Sequence, residues 1–142
     1  VQQPASPTAS PAEAMFDEDH ASRALGIELV DNGEGHATAR MRITAEMVNG
    51  HGNAHGGYIF LLADTAFACA CNDSHETSTV ASGADITYVR PARRDDDLVA
   101  RAHERTRFGR SGIFDVSVTR GDEVIAEFRG HSRTLRVEGV KP

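Results

Sequence analysis

Residues 49–72 read NGHGNAHGGYIFLLADTAFACACN, and the architecture follows from this stretch. Residues 49–57 hold four glycines and no aliphatic side chain larger than alanine, which is the composition of a loop. Over residues 58–72 nearly every side chain is apolar, among them Ile59, Phe60, Leu61, Leu62, Ala63, Ala66, Phe67 and Ala68, and good helix formers dominate. This predicts a helix that is apolar all round, not on one stripe. Such a helix is expected to be buried on every side, so the rest of the chain must wrap it.

Working outward, residues 35–43 alternate, with Ala37, Ala39, Met41 and Ile43 on one side and His36, Thr38, Arg40 and Arg42 on the other. That is the pattern of a half-buried strand. Strand-like runs follow at residues 79–90, 97–108, 112–120 and 123–135, separated by turn-rich stretches such as Arg120-Gly121-Asp122. In the last run Val124, Ala126 and Phe128 face one way while Glu127, Arg129 and His131 face the other. Short turns between successive strands imply antiparallel pairing. With a short helix expected over residues 13–25, the fold class is α+β: a curved antiparallel sheet rolled around one buried helix.

At 142 residues the chain has room for a single domain with a real core. Its 39% hydrophobic and 25% charged content, with no apolar run approaching ~20 residues, predicts a globular protein without a membrane span. The net charge of −6 repels nucleic acid phosphates, so an anionic ligand would need a local cluster of arginines. Residues 1–14 carry Pro4, Pro7 and Pro11 among alanines, serines and glutamines; they are expected to form a disordered tail, with the domain over residues 15–142. Cys69 and Cys71 sit two positions apart on a helix, point to different faces and cannot pair, which fits reduced thiols filling a core in a cytoplasmic protein.

One residue on the apolar helix needs explaining. The carboxylate of Asp64 is costly to desolvate unless something binds it or uses it, and its only polar helical neighbour is Thr65. Either Asp64 caps a backbone or pairs with an arginine, or it does chemistry. His55-Gly56-Gly57 immediately before the helix supports the second reading, since glycines there expose free N–H groups where the helix dipole favours an oxyanion. Gly57 and Asp64 are seven residues apart, roughly 10 Å at the helical rise, too far to act on one carbonyl. They can meet only across two subunits, in a two-fold dimer with antiparallel helices and two shared sites.

The run Asn49-x5-His55-Gly56-Gly57-x6-Asp64-Thr65, with VASGADITYVRP over residues 80–91 and FRGHSRTL over residues 128–135, strongly resembles the phenylacetate-degradation (PaaI-type) hotdog thioesterases. The resemblance covers about residues 15–135. It implies a hotdog fold, dimers paired into tetramers, and hydrolysis of acyl-CoA thioesters. By position, Asp64 matches the nucleophile or general base and Gly57 the oxyanion-hole N–H. Asn49 and His55 match polar residues around the thioester, and Thr65 a residue assisting the water or the carboxylate. Some related thioesterases carry a serine where this chain has Ala81; Ser82 is adjacent and should point to the other face.

His51 and His55 are spaced like a metal pair but lie in a glycine-rich loop without a third ligand, so no metal is expected. Arg90, Arg93 and Arg94 follow a strand, and Arg107 and Arg110 flank a turn; each is either solvated surface or part of a phosphate clamp for coenzyme A. The resemblance implies that Arg90 closes a strand beside the active site, and Arg110 sits with Ser111 and Gly112 in a turn whose N–H groups suit phosphate. The expected activity is hydrolysis of an aryl (phenylacetyl or hydroxyphenylacetyl type) or short to medium acyl-CoA, with coenzyme A as part of the substrate and no separate cofactor. The alternatives are a hotdog acyl-CoA dehydratase, in which His55 would pair with an acid, and a non-catalytic acyl-CoA binder. Neither nucleic acid nor a membrane is expected as a partner.

Overall fold

The computed structural model describes residues 9–135. The chain opens with α1 (Pro11–Asp17) and α2 (His20–Ala24) where one helix over residues 13–25 was expected. Ser10 starts α1 with a reciprocal cap: its hydroxyl accepts from Glu13 N at 3.0 Å while the Glu13 carboxylate accepts from Ser10 N at 2.9 Å, and Pro11 occupies the first helical position. Asp19 then caps α2 by accepting from Ser22 N at 3.0 Å. Residues 10–14 therefore belong to the folded domain expected from Met15 onward, because the last of the tail prolines is a helix starter, and Ala12 and Phe16 anchor the segment by burial. Residues 1–8 of the expected tail, and residues 136–142 of the expected domain, lie outside the described residues.

Six strands follow: β1 (Glu28–Gly33), β2 (His36–Arg42), β3 (Ser78–Tyr88), β4 (Asp97–Phe108), β5 (Ser111–Arg120) and β6 (Glu123–Leu135), with the long helix α3 (Gly56–Cys71) between β2 and β3. They form one sheet in the order β1-β2-β4-β5-β6-β3, antiparallel throughout. The hairpins β4–β5 and β5–β6 turn on two residues each, led by Gly109 and Gly121, whose φ values of 59° and 58° suit glycine and match the twist of the flanking strands. β3 departs from the expectation that successive strands pair. It crosses to the far edge beside β6, and residues 89–96 bring the chain back along the end of the sheet, where Ala92 O accepts from Ala54 N at 2.7 Å and Asp96 O from Ile43 N at 2.9 Å. This is the hotdog arrangement, a curved sheet around a central helix.

The alternation in β2 is realised as read, with Ala37, Ala39, Met41 and Ile43 buried against α3. Leu98, Ala100 and Ala102 of β4 and Phe114, Val116 and Val118 of β5 extend the same face. In β6 a bulge opposite Val118 and Thr119 turns both Ile125 and Ala126 inward. Phe67 is the centre of the aromatic packing, with ring centroids 5.7 Å from Phe114 and 5.8 Å from Phe128. At its far end α3 is tied to β3 by the buried amide of Asn72, which donates to Thr79 O and accepts from Thr79 N, both at 2.9 Å, as a paired strand would.

The sheet of one chain does not bury α3 on every side. Gly57, Phe60, Leu61, Asp64 and Ala68 form a helical stripe that stays partly or fully exposed. β3 lies alongside with one edge unpaired and almost every residue exposed, Val80 and Tyr88 among them. The expectation of a fully wrapped helix thus fails within the chain, because the strand that would close the wrap sits at the edge.

A Cβ placed on Gly130 of β6 would lie 2.7–2.8 Å from three carbons of the Phe67 ring, which is itself fully buried and cannot retreat. Gly130→Ala is expected to cost about 1–3 kcal/mol through overpacking, read as a lower denaturation midpoint in urea with an unchanged slope.

Candidate active site

The loop of residues 49–55 is held on three sides before α3 begins. Asn49 Oδ1 accepts from His51 N at 2.9 Å and Asn53 N at 3.2 Å, Asn49 N donates to Asn53 O at 2.7 Å, and His55 N donates to Met47 O at 2.7 Å. Asn49 thus spends its carbonyl oxygen on shaping the loop, leaving its amide NH2 for a ligand. His55 is the N-cap of α3, and its Nδ1 accepts from Gly57 N at 3.5 Å, the outer limit of a hydrogen bond. The Gly57 N–H is therefore directed out of the helix and held only weakly.

A cleft of about 440 Å³ opens here, bounded by Asn49, Gly56, Ile59, Tyr88 and Arg90. The structure brings Asn49, His55, Gly57 and Arg90 to this one end of α3. Arg90 Nη1 donates to Val124 O at 2.9 Å and approaches Glu123 at 3.9 Å, so the guanidinium is anchored at the cleft wall with donors to spare. Beneath it Arg120 ties Asp96 at 2.7 Å and Glu123 at 3.2 Å, fixing the returning chain.

Asp64 lies two turns further along the same uncovered stripe as Gly57. Among the described residues its carboxylate has neither a hydrogen-bond nor an ion-pair partner, so the reading in which it caps a backbone or meets an arginine is not realised among them. Desolvation by burial raises its pKa, and the nearby negative charge of Asp19 adds to the effect. A carboxylate in this state keeps its lone pairs unshared and is a stronger base than a solvated one.

Thr65 is placed elsewhere. Its hydroxyl donates to Leu61 O at 2.9 Å and lies 2.8 Å from the buried hydroxyl of Ser22, which in turn reaches Asp19 Oδ2 at 2.6 Å. The expected help to the water or carboxylate is not what this arrangement offers; Thr65 docks α2 onto α3. Asp19 and Ser22 were not legible as part of the site, since nothing in the spacing connects them to a residue 43 positions away. Ser82 occupies a bulge in β3 and donates to His131 O at 3.1 Å, so simple strand alternation does not give its direction.

Ser111 and Gly112 belong to β5 and are paired with both β4 and β6, so their N–H groups serve the sheet and do not form a free turn; Gly112 is buried. Arg110 is exposed in the two-residue turn, at the opposite end of β5 from the cleft, roughly 27 Å away at the rise of a strand. Arg107 is engaged by Asp73 at 2.6 Å and by Glu104, with its guanidinium 5.5 Å from the Phe114 ring centre, which makes it a structural residue. Arg93 and Arg94 are exposed. A second hollow, of about 390 Å³ beside Asn32, Asp73 and Arg107, lies near the other end of α3, and its polar groups bond one another.

Comparison with known proteins agrees with the geometry. The family described as the thioesterase superfamily matches residues 51–127. The acyl-coenzyme A thioesterase PaaI of Escherichia coli is 42% identical over 125 residues, covering 87% of this chain and 89% of that protein. The structure of the E. coli PaaI protein from the phenylacetic acid degradation operon superposes with a TM-score of 0.84 at 40% identity, covering 92% of this chain and 93% of that one. A mutant of the phenylacetic acid degradation protein PaaI from Thermus thermophilus superposes at 0.76 with 31% identity, covering 82% and 98%. With a family match over more than half of its length and relatives of this similarity, the chain belongs to the thioesterase superfamily.

Proposed function

We propose that this chain is an acyl-CoA thioesterase that hydrolyses aryl, phenylacetyl or hydroxyphenylacetyl type, or short to medium acyl-CoA to the free acid and coenzyme A. The observation that carries the reading is a half-buried carboxylate, Asp64, without partners among the described residues, on the same open helical stripe as a weakly held N–H, Gly57. Asp64 either takes a proton from the attacking water or attacks the thioester carbon itself. In both routes the carbonyl electron pair moves onto oxygen against the Gly57 N–H, then returns as the C–S bond breaks and the thiolate leaves. A binder without catalysis would retain the desolvation cost of Asp64 with nothing gained.

The complete site is proposed to form in a homodimer, and two dimers to pair into a tetramer. What supports the dimer is the open edge and exposed faces of β3 next to the uncovered stripe of α3. Two-fold pairing of β3 edges runs the helices antiparallel and sets Gly57 of one chain toward Asp64 of the other. The same symmetry brings Arg110 of one copy to the end that holds Arg90 of the other, so both arginines are proposed to meet coenzyme A phosphates there. No helix among the described residues is long and apolar enough to cross a membrane. Desolvation pushes the buried, unpaired thiols of Cys69 and Cys71 up to about 12, so they stay protonated and unreactive.

Asp64→Asn is expected to lower kcat by roughly 10²–10⁴-fold while preserving the fold. Because burial raises the pKa of Asp64, its ionised form costs the native state stability at neutral pH, and the cost vanishes once the group is protonated. The variant should therefore melt higher than the parent near neutral pH, with the gap closing below pH ~4. Near-parental turnover would dismiss Asp64 as the catalytic group. Mixing Asp64→Ala chains with Gly57→Pro chains, a change tolerated in the first helical turn, should restore one working site per heterodimer. Inactive but well-folded heterodimers would instead mean a site within one chain. Arg90→Gln should raise KM for acyl-CoA more than it lowers kcat and leave a thioester lacking the nucleotide unaffected. Equal losses on both substrates would assign Arg90 to the fold.

A further inference from the structure

The Tyr88 hydroxyl donates to the carbonyl oxygen of Gly56 at 2.9 Å. That carbonyl and the Gly57 N–H are opposite ends of one planar, resonance-coupled peptide group. Drawing electron density toward the oxygen leaves the amide hydrogen more positive, so a hydrogen bond accepted at C=O strengthens the N–H as a donor. We propose that Tyr88 is a positioning residue that orients and polarises the Gly56–Gly57 peptide, making the Gly57 N–H a stronger oxyanion donor than an unassisted backbone amide. The inference rests on the reading of Gly57 given above and goes beyond it, because it assigns a side chain to a part of the site otherwise made of backbone.

The seat for Tyr88 is built. A Cβ on Gly56 would stand 2.9 Å from both the Cζ and the hydroxyl oxygen of Tyr88, so a glycine at this position is what lets the phenol approach the first turn of α3. The ring itself is delivered by the last residue of β3, whose register opposite Ala126 is fixed, while Val89 N donates to Ile125 O at 2.7 Å just beyond it. The Gly56 carbonyl, at the start of α3, is open to the ladder of the helix as any first-turn carbonyl is, so the phenol is an additional donor and not the rescue of an orphan acceptor. Desolvation raises the pKa of Tyr88, which keeps the hydroxyl protonated and able to donate through neutral and mildly alkaline pH. On the other end of the peptide, the long 3.5 Å contact from Gly57 N to His55 Nδ1 is readily exchanged for a carbonyl oxygen of substrate.

The direct test is Tyr88→Phe, which removes the hydroxyl and keeps the ring. Removing an oxyanion donor outright costs about 10²–10³-fold in kcat, and weakening one should cost a fraction of that, roughly 3- to 10-fold, with KM nearly unchanged. In parallel, the Gly57 amide proton should move upfield in the NMR spectrum of Tyr88→Phe, a signature that depends on polarisation and not on turnover. Site-specific replacement of Tyr88 by 3-fluorotyrosine, a more acidic phenol measured where it is still protonated, should shift the resonance downfield and raise kcat above that of Tyr88→Phe, a graded response that a packing role would not give. This variant also serves if Tyr88→Phe folds poorly. A Gly57 resonance that moves while kcat stays constant would overturn the proposal by showing that Gly57 is not the oxyanion donor, and the reading of the site would fall with it. A resonance that does not move would overturn the proposal for Tyr88 alone, whatever kcat does, leaving the role of Gly57 to the heterodimer experiment.

Discussion

The rest of the structure depends on keeping water away from α3. Its side chains are apolar around nearly the whole circumference, and small residues on both partners, Ala63, Ala66 and Ala70 against Ala37, Ala39, Ala100 and Ala102, let the helix sit close to the strands. A six-stranded sheet with its β3 edge unsupported covers only part of that circumference. What remains uncovered is not a random patch. It runs along one line of the helix and includes the two polar features of α3 that the proposed hydrolysis uses, a backbone donor at the N-terminus and a carboxylate two turns on. Burial and reactivity are therefore the same problem here: whatever completes the cover of α3 also dries the site and strengthens every electrostatic interaction in it.

That constraint explains why Asp64 is left alone. An arginine beside it would hold the carboxylate ionised and weaken it as a base, and the chain instead spends its arginines on Asp73, Asp96 and Asp115, all away from Asp64. Among the described residues the charge that acts on it is that of Asp19, which is negative and works in the same direction as desolvation. Asp19 is in turn held by the Ser22 backbone and hydroxyl, so α2 contributes to the electrostatics of the helix as well as to its cover.

Much of this was legible in the sequence, and the reasons are local. The period-two pattern of β2 and the glycine-led hairpins of β4, β5 and β6 each declare themselves within a dozen residues. Asp64 stood out because one charge interrupts an apolar run, and His55-Gly56-Gly57 because glycines precede a helix. The misses share a different cause. Placement of β3 at the far edge and the contact of Thr65 with Ser22 are both set by contacts between residues distant in sequence, which no periodicity encodes. Ser111 and Gly112 read as turn residues by composition, and it took the sheet register to show them as strand. Pro11 shows the opposite error: composition suggested disorder, whereas its neighbours Ser10 and Glu13 supply the capping box that makes a proline at the first helical position favourable.

The bulge in β3 bears on how readily this open edge could accept another strand. Ser82 is the extra residue between Ala81 and Gly83, and its hydroxyl is turned back onto His131 O within the same sheet. A long flat edge would accept an added strand at any even offset, and repeated addition is how ladders grow into fibres. The inserted residue divides β3 into two short runs and increases the local twist, so a newcomer matches its hydrogen bonds over only one of them unless it carries the same kink at the corresponding place. A second copy of β3 meets that condition only where the two-fold axis passes through the bulge itself, so the defect in the ladder narrows the registers at which any strand could be added.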